Sequence, residues 1–125
     1  SIGVIGGKAA GIVEIIPEGG VYDFKRKYTK GATRYEFPAK LSEKETENMK
    51  CAAEKAFAVC GCRDFSRVDF LMDESGNFIV LEINTLPGMT PTSLLPKSAS
   101  CAGYDFDGLC KKMLEGAIMR FRKNR

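Results

Sequence analysis

The stretch that most constrains the fold is residues 67–84, in which apolar and polar side chains alternate on both sides of a short polar turn. Two such runs joined by a turn that contains glycine predict a β-hairpin. If Ser75 and Gly76 form the loop, Glu74 faces Asn77 in the neighbouring strand. We therefore expect an antiparallel pair of strands whose register is set by this turn.

Counting outward from that turn places charged residues opposite each other. Asp69 faces Glu82, Arg67 faces Asn84, and all four share one face because side chains alternate with a period of two. Two carboxylates directly across a ladder, with Cβ atoms roughly 5 Å apart, repel each other. A cation between Asp69 and Glu82 would remove this repulsion. The opposite face is apolar and is formed by Val68, Phe70, Met72, Ile79, Leu81 and Ile83.

The oxygen atoms on the charged face indicate which cation could bind there. The carboxylates of Asp69 and Glu82 and the amide of Asn84 are hard ligands, which suit Mg²⁺ or Mn²⁺. Mg²⁺ is commonly held by one or two carboxylates together with phosphates, and Arg67 beside them could bind such a phosphate. The alternative is a polar, solvated face of an ordinary two-sided sheet, which needs no ligand.

The composition excludes several other kinds of site. The chain of 125 residues has no histidine, which excludes Ser-His-Asp and Cys-His catalysis and zinc sites that use histidine. Its net charge of +3 is small for a nucleic-acid-binding protein, and no apolar run is long enough to span a membrane. The five cysteines lack C-x-x-C spacing, so we interpret them as small, buried apolar residues in a reducing, cytoplasmic setting.

The sequence before residue 67 predicts strands followed by a helix. Residues 1–5 and 9–16 are apolar runs separated by a glycine pair, which predicts a second hairpin, and residues 34–38 predict a further strand. Ser42 opens a capping box, and the helix that it begins is expected to end at Gly61. The apolar residues of this helix recur at helical spacing and predict a core face.

Two helices are expected after the central hairpin. Thr90 can cap a short helix with Pro91 at its first position, and the free N–H groups there would form an anion site to which Ser93 adds a hydroxyl. A simple cap without a ligand is the alternative. A long helix with one apolar face is expected from Asp105 to about Arg122. This order of strands and helices predicts a single α+β domain with a largely antiparallel sheet.

Four segments occur in a specific order along the chain. They are residues 22–28, Phe37-Pro38-Ala39, Arg67-Val68-Asp69, and the run from Leu81 to Thr90 that contains Glu-Ile-Asn-Thr-Leu-Pro-Gly-Met. Together they closely resemble D-alanine:D-alanine ligases of the ATP-grasp superfamily, across essentially the whole chain. The resemblance implies that ATP phosphorylates the carboxylate of a first D-alanine, that the amine of a second D-alanine attacks this acyl phosphate, and that the dipeptide enters peptidoglycan synthesis.

The resemblance also implies roles for the residues of the charged face. Asp69, Glu82 and Asn84 would hold two magnesium or manganese ions that bridge the phosphates of ATP. Arg67 would stabilise negative charge on the transferring phosphoryl group. These implied roles agree with the ligand types of the charged face.

Further residues receive roles by the same resemblance. Lys27 would reach the transferred phosphate, and Gly88 would offer its backbone N–H to the developing oxyanion. Ser93 and Leu94 would bind the carboxylate of the second D-alanine. Tyr28 occupies the position where similar ligases that make a D-lactate ester carry phenylalanine, which favours D-alanine as the second substrate.

The resemblance implies that the chain is the C-terminal part of an ATP-grasp domain. We expect the parent enzyme to be a cytoplasmic homodimer that binds small molecules and neither nucleic acid nor membranes. Its N-terminal and central domains are expected before Ser1, so the segment alone should be inactive. Two alternatives remain open: an ATP-grasp ligase for another amino or hydroxy acid, and a non-catalytic module with the same fold.

Overall fold

The computed structural model describes residues 1–17 and 33–124. The described chain has six strands and three helices. The strands are β1 (Ile2–Ile5), β2 (Lys8–Ile12), β3 (Glu14–Pro17), β4 (Thr33–Glu36), β5 (Phe65–Met72) and β6 (Phe78–Asn84), and the helices are α1 (Glu43–Val59), α2 (Leu94–Ser100) and α3 (Phe106–Lys123).

The strands form two antiparallel sheets, and the predicted α+β fold is confirmed. The larger sheet has the order β2-β1-β5-β6, and β3 pairs with β4 in a separate ribbon. Helix α1 packs on the sheet face that carries Val4 and Val68. Helices α2 and α3 pack on the opposite face, which carries Ile5 and Phe65. Within the described residues, no helix is long and apolar enough to cross a membrane.

The turn of the central hairpin is one residue longer than predicted. The N–H of Asp73 donates to the carbonyl of Asn77 over 2.9 Å, so Asp73 and not Glu74 faces Asn77. Gly76 has a φ of +82°, a left-handed conformation that a three-residue hairpin loop commonly requires and that glycine adopts without strain.

A β-bulge restores the predicted pairing further along the hairpin. Phe70 pairs with Val80, whereas the preceding residue of β5, Asp69, pairs with Glu82, so Leu81 is the extra residue of β6. A bulge inserts one unpaired residue in one strand and shifts the register by one. The longer turn and the bulge therefore cancel, and the predicted pairing of Asp69 with Glu82 is confirmed.

The bulge also changes which side chains of β6 reach the core. Phe78 pairs with Met72, and both pack against the core beneath α1. Ile79 and Leu81 are 59% and 57% exposed. The prediction that Ile79 and Leu81 belong to the apolar core face was therefore wrong, because it assumed an uninterrupted ladder.

Two other strand predictions needed correction. The run 9–16 does not form one strand, because β2 ends before Val13 and the chain then enters the second sheet. The N–H of Val13 donates to the carbonyl of Ser1 over 2.8 Å at this crossing point. The strand predicted at 34–38 ends earlier, at Glu36.

The bounds of the first and last helices agree closely with those that the sequence predicts. Ser42 and Glu45 form the predicted capping box at the start of α1, with the N–H of Ser42 donating to the Glu45 carboxylate over 2.8 Å. Helix α1 gives way to a left-handed glycine, Gly61, as expected for a helix end. Asp105 caps α3 and accepts from the N–H of Gly108 over 2.6 Å.

Much of the apolar face of α3 is not covered by the described chain. Leu109 is fully buried, but Leu114 and Ile118 are 58% and 47% exposed.

The cysteines also differ from their predicted burial, because most lie on outward-facing parts of helices and helix ends. Cys51, Cys60 and Cys101 are exposed, and Cys62 and Cys110 are half-buried.

Asp64 connects three segments just before β5. It has a φ of +62°, and its carbonyl accepts from the N–H of Gly6 over 2.5 Å. Its carboxylate accepts two hydrogen bonds from the Arg120 guanidinium of α3, at 2.7 and 2.5 Å. A Cβ atom at Gly116 would overlap this carboxylate. The hydrogen bonds from Arg120 lower the pKa of Asp64 below its usual range.

We expect Asp64→Asn to lower the free energy of unfolding near neutral pH. Asparagine tolerates the left-handed backbone but loses the charge-assisted hydrogen bonds. Because the folded-state pKa of Asp64 is depressed, its contribution is present above the ordinary carboxyl pKa and is lost as the pH falls through the folded-state value. The difference between wild type and variant should therefore close below about pH 3, as measured by urea unfolding across the acid range.

Asp107→Asn is the matched control, because Asp107 is exposed in the first turn of α3. It should show a smaller loss of stability near neutral pH. A loss of stability for Asp64→Asn that is equal at every pH would contradict the ionic explanation.

Candidate functional site

The residues of the charged face lie together at the end of the central hairpin. Asp69 and Glu82 are cross-strand partners, and Arg67 pairs with Asn84 on the neighbouring position of the same face. The sheet thus presents two carboxylates, one guanidinium and one amide on two neighbouring residue pairs of the same face.

Arg67 lies between the two carboxylates. Its Nε is 3.0 Å from Oδ1 of Asp69, and its NH2 is 2.7 Å from Oδ2 of Asp69 and 3.6 Å from Oε1 of Glu82. The arginine is 8% exposed, whereas Glu82 keeps 56% of its side chain exposed. The cation that would remove the predicted repulsion between the acids is in this structure the guanidinium of Arg67, which the sequence pattern did not identify for this role. The facing carboxylates alone therefore do not demonstrate a metal site.

The environment of Asp69 keeps it ionised. Burial by itself would raise the pKa of Asp69, but the hydrogen bonds of Arg67 and Ser1, together with the positive charges of Arg67 and of the Ser1 ammonium, outweigh burial and hold the pKa below its usual range. Asp69 is therefore a carboxylate at neutral pH, with its oxygen atoms already engaged by an arginine. Any added cation has to compete with Arg67 for these oxygens.

The donor set suits a magnesium ion in type but does not complete its coordination. The described residues contain no cluster of three or more histidine, cysteine or acidic side chains able to hold a metal. Asp69, Glu82 and the amide oxygen of Asn84 are hard donors, and Asn84 Oδ1 already accepts from the N–H of Leu86 over 2.9 Å. The remaining ligands would have to come from a phosphate group or water.

The segment after β6 folds as a turn before α2, which corrects the predicted start of this helix. The helix begins at Leu94 with Ser93 in the cap position, so Thr90 is not the cap and Pro91 is not its first residue. The N–H of Ser93 donates to the carbonyl of Thr90 over 3.0 Å. Ser93 Oγ accepts from the N–H of Thr90 over 3.0 Å and lies 2.8 Å from the Thr90 hydroxyl.

Gly88 lies against this turn. A Cβ atom at Gly88 would be 2.8 Å from Ser93 Oγ, so a side chain there would collide with the serine. The structure therefore brings together Gly88 and Ser93, two of the residues that the resemblance places around the substrate, with Thr90 beside them. Leu94 follows directly and is 9% exposed. Lys27 and Tyr28 lie outside the described residues.

Lys97 is a residue of this region that the sequence did not single out. Its ammonium donates to the carbonyl of Thr92 and lies 4.9 Å from the ring centre of Tyr35 in β4. Burial lowers the pKa of Lys97. Its position one helical turn after Ser93 is the sequence signal that could have identified it, because residues four apart lie on one face of a helix.

Helix α2 lies on the same side of the sheet as Arg67. Gly3 pairs with Arg67 across β1 and β5, and a Cβ atom at Gly3 would be 2.6 Å from Leu95 Cδ1. Cross-strand partners share a face, so α2 covers the position next to Arg67. The charged face and the turn before α2 are thus on one side of the sheet.

A comparison with protein families matches residues 1–115 to the family described as D-ala D-ala ligase C-terminus. Among curated relatives, the D-alanine–D-alanine ligase of Methylacidiphilum infernorum is 45% identical over 122 residues, which cover 98% of this chain and 40% of that protein. The chain thus spans about two fifths of the length of this relative.

Solved structures agree with the sequence comparison. The D-alanine–D-alanine ligase of Bacillus anthracis complexed with ATP superimposes with a TM-score of 0.79 at 30% identity, covering 99% of this chain and 40% of that one. The VanG D-Ala:D-Ser ligase of Enterococcus faecalis has a TM-score of 0.73 at 28% identity, covering 90% and 34% of the two chains.

Proposed function

The chain belongs to the D-ala D-ala ligase C-terminal family, and from this premise we propose that it forms part of the active site of an ATP-dependent ligase that joins two D-alanine molecules. In this reaction a carboxylate of D-alanine takes the γ-phosphoryl group of ATP and releases ADP. The amine of the second D-alanine then attacks the acyl phosphate, and inorganic phosphate leaves. The observation that carries the proposal is Arg67 held between Asp69 and Glu82 on the same side of the sheet as α2.

Arg67 is suited to stabilise the transferring phosphoryl group. It is a buried cation whose planar guanidinium is fixed by Asp69, and arginine binds phosphate oxygens through two parallel N–H groups. A fixed positive charge at the reacting group stabilises a transition state better than a mobile one, because no reorganisation is needed.

Asp69, Glu82 and Asn84 would hold magnesium together with the phosphate oxygens of ATP. The bound ion would neutralise charge on those oxygens. Since Arg67 engages the oxygens of Asp69 in this structure, the ion and Arg67 compete for them.

The turn before α2 would bind the second amino acid. The backbone N–H of Gly88 is proposed to stabilise the oxyanion of the tetrahedral intermediate, and Ser93 with Leu94 to hold the carboxylate of the attacking D-alanine. The close approach of Gly88 to Ser93 Oγ supports placing these two functions side by side. Lys27 is proposed to contact the transferred phosphate and Tyr28 to favour D-alanine over D-lactate.

Family membership also supports the remaining proposals about the whole protein. They are a cytoplasmic location, a homodimer that acts on small molecules, and a place in peptidoglycan synthesis. A second candidate function is ligation of D-alanine to another acid, which is favoured by the structural similarity to a D-Ala:D-Ser ligase.

One assay of the complete ligase that contains this chain tests the proposed function and its alternative. ADP release and the identity of the joined product are measured with D-alanine as the first substrate and D-alanine, D-serine or D-lactate as the second. For the wild type we expect turnover only when D-alanine is the second substrate. For Tyr28→Phe we expect the product to shift toward the D-lactate ester, because the phenol hydroxyl is lost. Tyr104→Phe, in the core beneath α3, is the matched control.

Each result of this assay has a distinct meaning. Faster turnover with D-serine or D-lactate in the wild type would support the second candidate. Absence of ADP release with all three substrates would refute the ligase function and favour a non-catalytic module. An unchanged product ratio in Tyr28→Phe would contradict the proposed role of Tyr28.

A further inference from the structure

A β-bulge interrupts the pairing of β1 with β2 at Gly3. The register shifts by one residue between Ile2 and Val4, and a bulge disrupts the ladder of hydrogen bonds locally. At this position the N–H of Gly3 donates to the hydroxyl of Ser98 over 2.8 Å. The two residues are 95 positions apart in the sequence, so a helix side chain takes part in the hydrogen bonding of the sheet.

The Ser98 hydroxyl also reaches the second strand of the bulge. It donates to the carbonyl of Gly11 over 2.5 Å, and Ser98 is 1% exposed. The hydroxyl therefore acts as acceptor for β1 and donor for β2 at once. Without it, a buried N–H and a buried carbonyl would lose their partner, which is costly in a place that water does not reach.

Two glycines allow α2 to come this close to the sheet. A Cβ atom at Gly3 would be 2.6 Å from Leu95 Cδ1, and one at Gly11 would overlap Cys101. Gly3 is also the cross-strand partner of Arg67. The hydrogen bonds of Ser98 thus fix α2 on the ladder position that carries the buried arginine of the candidate site.

We propose that Ser98 is a positioning residue for the second amino acid of the ligase reaction. Its two hydrogen bonds to the sheet fix the distance of α2 from the sheet and the position of the helix along the strands at the Gly3–Arg67 pair. Because the turn from Thr90 to Ser93 leads directly into α2, this also fixes the distance between Ser93 and Arg67. The inference rests on the proposed function, in which Ser93 and Leu94 bind the carboxylate of the acceptor and Arg67 binds the phosphoryl group.

The test is the kinetics of Ser98→Ala in the complete ligase. We expect KM for D-alanine as acceptor to rise about tenfold, because small displacements of substrate-positioning groups cost this much or more. KM for ATP should stay within about twofold, because Asp69, Glu82 and Asn84 lie on β5 and β6 and not on α2. Ser100→Ala is the matched control, because Ser100 is exposed on the same helix and its hydroxyl donates to the Lys97 carbonyl of that helix.

Gly3→Ala gives a second, chemically different perturbation. It keeps the Ser98 hydroxyl but adds a Cβ that pushes Leu95 away from the sheet, so it should raise the acceptor KM selectively in the same way. If Ser98→Ala does not yield folded enzyme, Gly3→Ala decides the question alone.

The possible outcomes separate this inference from the proposed function. A wild type without D-alanine-dependent ADP release refutes the ligase function itself. An active wild type whose variants show an unchanged acceptor KM, or an equal rise in both Michaelis constants, overturns the positioning role and leaves the ligase function intact.

Discussion

Replacing Asp69 by asparagine in the complete protein is expected to lower kcat of the proposed ligase reaction by about a hundredfold or more. The substitution keeps the shape of the side chain but removes the charge that would hold a divalent ion and that fixes Arg67 through three hydrogen bonds, at 3.0, 3.2 and 2.7 Å. Glu82→Gln should have an effect in the same direction. The measurement is steady-state ADP release at saturating substrates, combined with a titration of Mn²⁺ in the presence of nucleotide.

Binding of Mn²⁺ by the variants shows whether Asp69 and Glu82 form a cation site. Glu74→Gln changes an exposed acid in the turn of the same hairpin and should leave both kcat and Mn²⁺ affinity near the wild-type values. If Asp69→Asn and Glu82→Gln bind Mn²⁺ and nucleotide as tightly as the wild type, the proposed cation site is wrong. The charged face would then be an arginine-centred structural cluster.

Removing Arg67 is expected to cost stability as well as activity. Arg67→Ala leaves Asp69 and Glu82 facing each other without the guanidinium that contacts both, and Asp69 is largely buried. Breaking such a pair by removing one partner typically costs about 3 kcal/mol of the free energy of unfolding. Urea unfolding of the wild type and the variant measures this loss.

The pH dependence separates charge from packing in Arg67→Ala. In the wild type the pKa of Asp69 is lowered, so its ionic contribution is present above the ordinary carboxyl pKa and is lost as the pH falls through the folded-state value. The difference between wild type and Arg67→Ala should therefore be largest near neutral pH and shrink below about pH 4.

Arg122→Ala, at an exposed position near the end of α3, is the matched control and should have little effect at any pH. A loss for Arg67→Ala that stays constant with pH would indicate that the arginine stabilises the fold by packing of its aliphatic stem. Its charge would then contribute nothing to the fold.

The hairpin shows how far sequence patterns predicted the site. Asp69 and Glu82 were placed opposite each other correctly, although the turn was assigned one residue too short, because the bulge at Leu81 compensates for the longer loop. The same bulge made the prediction for Ile79 and Leu81 wrong. Alternation along a strand specifies the face of each residue only while the ladder is continuous, and nothing local in the sequence marked where it is interrupted.

For the helices too, the sequence predicted the features that depend on neighbouring residues and missed those that depend on packing. The capping box of Ser42 and Glu45 was predicted because both partners lie within one helical turn. The start of α2 was misplaced, because the Thr90-Pro91 pair that suggested a cap instead forms a turn closed by Ser93. Both a helix cap and a turn would satisfy the backbone polar groups of this segment. The burial of Leu94 and Leu95 selects the turn.

Residue types and their spacing already specify the groups that the site can use: two carboxylates, an amide and an arginine at strand spacing, followed by a glycine and a serine. These depend on residue type and on short-range periodicity, which local chemistry fixes. Packing of the sheet and helices places Arg67 between the acids and holds α2 against Gly3 through Ser98. Those arrangements join distant parts of the chain or depend on burial, so they arise only when the sheet and helices pack together.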